Sequence, residues 1–147
     1  LELDDGSVLT EGPAIVQYIA DRKPESGLAP KAGTFERYRL QEWLGFINSE
    51  IHKGFGPLFN PKTPDEIKAT ARENLSKRLA FVAEHLAKND FLLGRQFSAA
   101  DGYLFTVLNW GQWTGMDIAK WPALAAFQER VDSRPSVQAA RAAEAAA

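Results

Sequence analysis

Two short stretches of this 147-residue sequence carry side chains whose types and spacing could do chemistry. The first is Thr10-Glu11-Gly12-Pro13-Ala14-Ile15. A proline at the first helical position leaves neighbouring N–H groups of that turn unpaired at the positive end of the helix dipole, which suits a carboxylate or phosphate. Gly12 lets a ligand approach the backbone, and Glu11 can accept an ammonium, so the corner suits a zwitterionic amino-acid group. The same residues also describe an ordinary capped helix start. The second stretch is Ser49-Glu50-Ile51-His52-Lys53-Gly54-Phe55. Helical spacing sets His52 on the flank of an apolar stripe, one turn after Asn48, at the seam between core and solvent. His52 and Lys53 together offer hydrogen bonds and positive charge to a thiolate, which would lower a bound thiol's pKa. Equally, they read as surface cations easing a helix end.

Composition narrows the chemistry. There is no cysteine, so the chain holds no disulfide, no thiolate metal site and no cysteine nucleophile, and any thiol must come from elsewhere. His52 and His85 fall on different helices with no acidic residue at ligand spacing, so no metal is expected. The formal net charge is -2, with both signs mixed along the chain, which disfavours nucleic acid or an anionic membrane as partner. No apolar run reaches the length of a membrane span and no leader pattern precedes the first strand, so a cytoplasmic location is expected. No G-x-S-x-G, P-loop or dinucleotide motif is present.

The positioning elements follow from periodicity. Leu1 to Asp4 and Ser7 to Leu9 alternate around Asp5-Gly6, which predicts a β-hairpin with a tight turn. A helix follows from Gly12 to about Arg22, with Ile15, Val16, Tyr18 and Ile19 apolar. Residues 23–33 hold two prolines and two glycines and read as a linker. Beyond it the pattern is helical to the end. One helix over roughly Thr34 to Phe59 places Leu40, Trp43, Leu44, Ile47 and Ile51 in a stripe. The next opens at Thr63-Pro64-Asp65-Glu66, with Thr63 as cap and Glu66 closing a capping box, and carries Ile67, Ala71, Leu75, Leu79, Val82 and Leu86. The two should pair antiparallel. Ser98 and Asp101 start a third helix that is apolar nearly all round and so should be the buried centre of the bundle. Shorter helices open at Trp121-Pro122 and Arg134-Pro135.

Taken in order and spacing, LDDGSVLTEGPAIVQYIAD, SEIHKGFGPLFNP, FSAADGYLFTVLNW and RPSVQAA closely resemble a bacterial glutathione S-transferase of the beta class, from Leu1 to about Ala143. The resemblance implies a mainly α chain: residues 1–22 are the last hairpin and helix of a thioredoxin-like α/β domain, 23–33 the linker, and 34–147 an all-α C-terminal domain. It further implies a homodimer that conjugates glutathione to small hydrophobic electrophiles. By the same resemblance Glu11 and Gly12 match positions that hold the γ-glutamyl end of glutathione, and His52 matches the histidine near its sulfur. Lys53 matches the neighbouring lysine, while Phe55, Phe59, Tyr103 and Trp110 match positions around the electrophile pocket. Many classes carry Ser where this chain has Gly12, and at Gly45 relatives can carry Asn.

The family's cysteine, its cis-proline clamp and its first strands would lie upstream of Leu1. The expectation is therefore a partial record of a longer enzyme, in which the fragment alone is weak or inactive. Two other readings stay open: a non-catalytic binding or dimerisation module, and a glutathione-dependent lyase, dehalogenase or peroxidase, since one thiolate serves all three chemistries.

Overall fold

The computed structural model describes residues 1–146; the final residue of the helical domain expected over 34–147 lies outside them. Leu1 and Leu9 exchange backbone hydrogen bonds, and Leu3 N–H bonds Ser7 O at 2.9 Å, forming the expected antiparallel ribbon. Its turn differs from the two-residue Asp5-Gly6 type. Gly6 N–H bonds Leu3 O at 2.9 Å, Gly6 has φ +82°, and Asp5 is not in the positive-φ region, so the loop is three residues closed by a glycine bulge. The cause is local: Asp4-Asp5 can form a turn without positive φ, and the Asp5 carboxylate accepts Ser7 N–H at 2.8 Å.

Helix α1, Gly12–Asp21, follows with Pro13 in its first turn. Between it and α2, Phe35–Phe46, lies a short 3₁₀ turn, Pro24–Ser26. Thr34 caps α2, its hydroxyl oxygen accepting Arg37 N–H at 3.3 Å. Arg37 is buried, and it is the clamp of this region. Its Nε donates to Pro30 O at 2.7 Å, and its two terminal nitrogens both donate to the Asp21 carboxylate at the end of α1. That hydrogen bond holds the Asp21 carboxyl below its ordinary range. A planar guanidinium can satisfy three acceptors in this way where an ammonium cannot.

After α2 the chain continues as a π-helical turn, Ile47–His52, into α3, Lys53–Phe59. Leu40, Leu44, Ile47, Ile51 and Phe55 are all buried along one stripe, as the spacing predicts, but Trp43 is only partly buried. Helix α4, Asp65–Leu86, packs against this run and buries Leu75, Leu79, Val82 and Leu86. Here two expectations fail. The cap position is Pro64 with no side-chain hydrogen bond, so Thr63 does not form a capping box, because the extended Pro64 backbone already ends the loop. Ile67 is half exposed, since the core begins only at Leu75.

Helix α5, Ala99–Leu108, is the centre: Ala100, Asp101, Leu104, Phe105, Val107 and Leu108 are buried. Asp101 organises its start. Oδ2 accepts both Ser98 N–H and Ser98 O–H at 2.8 Å, and Oδ1 accepts Leu92 N–H at 2.8 Å. Burial pushes the Asp101 carboxyl above its ordinary range, and these donors oppose that shift. The short α6, Gly111–Thr114, ends at Gly115 in the left-handed conformation. Gly111 cannot carry a side chain: a Cβ there would lie 2.6 Å from Met116 O. Helix α7, Pro122–Asp132, adds Leu124, Phe127 and Val131 to the core, and α8, Pro135–Ala145, packs on its outside. Each fully buried Leu, Ile or Phe contributes roughly 1.5–3 kcal/mol. Among the described residues no helix is long and apolar enough to cross a membrane.

The Asp101 node sets a testable order. Ser98→Ala should cost about 1 kcal/mol, as for other cap losses. Asp101→Ala, which strands three buried donors, should cost about 3 kcal/mol. Urea unfolding of the two variants checks it, and equal losses would contradict the hydrogen-bond assignment.

Candidate functional site

The second of the two stretches lies on the π-helical turn. Lys53 N–H bonds the carbonyl of Asn48, five residues back, so one extra residue is absorbed into the helix. The wide turn keeps Ile47, Ile51 and Phe55 in the core while Asn48 and His52 share the adjoining face. Both meet Tyr103 on α5. His52 Nδ1 lies 2.7 Å from Tyr103 Oη, and Tyr103 O–H donates to Asn48 Oδ1 at 3.0 Å. The imidazole also stands perpendicular to Trp110, centroids 4.6 Å apart. Burial first, and the Lys53 charge second, push the His52 pKa below its ordinary value, so near neutral pH the ring is uncharged. Lys53 itself is exposed.

Trp110 is the hub of the aromatic residues singled out by sequence. Phe59 meets it edge-on at 5.4 Å and Phe55 at 5.8 Å. Phe59 is 46% exposed and offers surface to a ligand. Phe55 does not: it is completely buried in the core stripe and supports Phe59 and Trp110 from behind, which corrects its expected place on a pocket wall.

The first stretch departs from expectation in its amides. Ala14 and Ile15 N–H groups are both taken up by Glu11 O at 3.0 Å, and Pro13 has none, so Gly12 N–H alone lacks a protein partner among the described residues. Glu11 itself sits at φ 70°, ψ 114°, the one positive φ outside glycine among the described residues. Such a conformation costs on the order of 1–3 kcal/mol and persists only where surroundings enforce it. Gly12 is exposed, and a Cβ there would meet nothing within 4 Å, so the space beside it is open. The Glu11 carboxylate has no hydrogen-bond or ion-pair partner among the described residues. Its charge nevertheless reaches Tyr103, whose phenol is pushed up first by burial and then by Glu11. Of the two stretches, His52 contacts the Tyr103 hydroxyl directly, and α1, which Glu11 precedes, packs against the helix that carries Tyr103.

Sequence reasoning noted Asn48 as a neighbour of His52 without giving it a part. Its four-residue spacing from His52 was the available signal. A groove lies elsewhere, between α2 and α4, with a volume of about 1090 Å³ and an aromatic wall of Trp43, Phe46 and Phe81. The Trp43 ring meets His85 at 4.8 Å and Phe46 meets Phe81 at 5.3 Å between centroids, both pairs tilted.

Three comparisons bear on this arrangement. The family model described as "Glutathione S-transferase, C-terminal domain" matches residues 46–135. Glutathione S-transferase GstA of Escherichia coli O157:H7 is 46% identical over 144 residues, which is 98% of this chain and 72% of that protein. A sphingomonad glutathione S-transferase solved with glutathione superposes with a TM-score of 0.95 at 49% identity, covering 100% of this chain and 73% of that one. A bacterial beta-class glutathione S-transferase of Sphingomonas chungbukensis gives 0.93 at 46% identity, covering 98% and 72%.

The depressed His52 pKa has a stability consequence. Between the folded value and about 6.5 the unfolded chain binds more protons, so stability contributed by His52 is complete above about pH 6.5 and is lost as pH falls through the folded value. The unfolding free energy should therefore climb more steeply from about pH 5 to about pH 7 in the native protein than in His52→Asn. Parallel urea titrations check this; identical slopes would mean the ring is not buried in its neutral form.

Proposed function

Because the chain belongs to the glutathione S-transferase family, we propose that it conjugates glutathione to small hydrophobic electrophiles across the cleft between the α1 corner and His52. The observation that carries this reading is the Tyr103 hydroxyl, which bonds to His52 on one side and feels the Glu11 charge on the other. In this reading the γ-glutamyl carboxylate takes the Gly12 N–H at the positive end of α1, and its ammonium takes Glu11. Both groups are exposed and have no protein partner among the described residues, so a ligand can reach them.

The thiol then lies on the His52 side. Removing its proton is the first requirement, since the thiolate is the nucleophile. His52 is uncharged near neutral pH and so can accept that proton, while the Lys53 ammonium favours the thiolate that results. Each unit by which the thiol pKa falls is worth about 1.4 kcal/mol. The thiolate attacks the electrophilic carbon, a C–S bond forms, and the leaving group departs with its electron pair. Phe59, Trp110 and the Tyr103 ring form the apolar side of this space, which selects for hydrophobic electrophiles.

Assembly is the second part of the proposal. A second copy of this chain covers the groove between α2 and α4, where Phe81 is 55% exposed beside Trp43 and Phe46. Arg39 and Glu42 on its rim pair with each other at 2.6 Å within α2, and a two-fold mate can exchange that exposed pair for one across the interface.

Two experiments test these statements in the intact protein. His52→Ala should lower kcat and raise the pKa of bound glutathione, read from thiolate absorbance, whereas Glu11→Gln should weaken glutathione binding by calorimetry; unchanged values in both would refute the site. Phe81→Glu should convert a dimer to a monomer in sedimentation velocity, and a dimer that survives it does not use this groove.

A further inference from the structure

The Asn48, Tyr103 and His52 chain of contacts has a direction. The Asn48 amide oxygen accepts and cannot donate, so the single Tyr103 hydroxyl hydrogen is spent on it at 3.0 Å. The 2.7 Å contact between Tyr103 Oη and His52 Nδ1 must then carry its hydrogen on the ring nitrogen. A phenolate at Tyr103 would remove this constraint, but burial and the Glu11 charge both keep the phenol protonated. A neutral imidazole has one N–H, so its other nitrogen, Nε2, carries a lone pair. Nε2 has no protein partner among the described residues.

We propose that Asn48 is a positioning residue which, through Tyr103, holds His52 as the Nδ1–H tautomer and leaves the Nε2 lone pair to receive the thiol proton. This rests on the reading of His52 as the group beside the sulfur, and it decides between two chemistries that reading leaves open. An Nε2–H ring would donate to a thiolate already formed. An Nδ1–H ring takes the proton from S–H, becomes imidazolium, and leaves the electron pair on sulfur for attack on the electrophile. The imidazolium then returns the proton to the departing group or to water. Tyr103 is well suited to link the two side chains, because a phenol donates once and accepts at the same time. The π-helical turn matters too: it presents Asn48 and His52 to one hydroxyl.

The test is the ¹⁵N spectrum of the His52 ring in the intact protein without glutathione, at a pH where the ring is neutral, since the two tautomers have distinct nitrogen shifts. The native protein should show Nδ1–H. Asn48→Leu and, independently, Tyr103→Phe should lose that bias. Asn48→Asp, which retains only acceptor atoms, should restore it. Turnover should follow the tautomer: kcat for Asn48→Leu should fall at least about tenfold, toward the 10²- to 10⁴-fold that a positioned base supplies, with KM for glutathione little changed and rescue by Asn48→Asp. An Nε2–H ring in the native protein, or a tautomer indifferent to both Asn48→Leu and Tyr103→Phe, overturns the inference. Calorimetry keeps its failure separate from that of the parent reading. Tight glutathione binding with the wrong tautomer defeats only the Asn48 assignment, whereas binding untouched by Glu11→Gln, with kcat untouched by His52→Ala, defeats the site itself.

Discussion

The five-residue hydrogen bond from Lys53 N–H back to Asn48 O governs the arrangement of this molecule's chemistry. A regular α-helix, at 3.6 residues per turn, would also set residues four apart on one face, so the extra residue taken up here changes how the turn leads into α3 rather than whether Asn48 and His52 are neighbours. Ile47, Ile51 and Phe55 stay locked in the core, completely excluded from solvent, while the polar pair stays aligned with Tyr103. Core packing thus holds the imidazole more firmly than its own partial exposure suggests, because the ring cannot shift without moving three buried side chains.

Around that turn, α5 and the start of α1 carry opposite kinds of constraint. On the α5 side everything is satisfied: Asp101 fills its acceptors with Ser98 and Leu92, and Tyr103 uses both functions of its hydroxyl. At the start of α1 one amide and one carboxylate have no partner among the described residues, and Glu11 is held in a backbone conformation that non-glycine residues avoid. Satisfaction on one side gives a fixed reference, and incompleteness on the other gives a ligand something to complete. The positive φ at Glu11 sets the direction in which the preceding ribbon and the Glu11 side chain leave the start of α1.

Much of this was legible in the residues. Leu40, Leu44, Ile47 and Ile51 announce a helix face by spacing alone, and Ser98 with Asp101 announces the start of the buried helix. The π-helical turn was invisible for the same reason that the stripe was clear: the four-residue steps from Ile47 to Ile51 to Phe55 suit an α-helix and a wider turn alike. Phe55 shows the competing pull of two arguments, for its step from Ile51 points to the core while family resemblance points to the ligand, and the core won. Thr63 and Ile67 read as cap and stripe from local pattern, but neither property is local: Pro64 ends the loop, and α4 begins two turns before there is a core to bury against. The ribbon turn failed through one neighbour, Asp4, which made a different loop length cheaper. The meeting of Asn48 and His52 with Tyr103 lies outside any periodicity, because it joins the π-helical turn to α5 through side-chain reach alone.

The buried Arg37 ties Asp21 to the start of α2 and holds the intervening strand of chain by Pro30 O. It works as a non-covalent clasp on a loop whose span is itself stitched to the bundle: Leu28 O accepts Ala99 N–H at 2.8 Å, and Gln96 Nε2 donates to Gly27 O at 3.0 Å. Residues 22–29 therefore tether the end of α1 to the first turn of α5, so an insertion or deletion there would be felt at both helices.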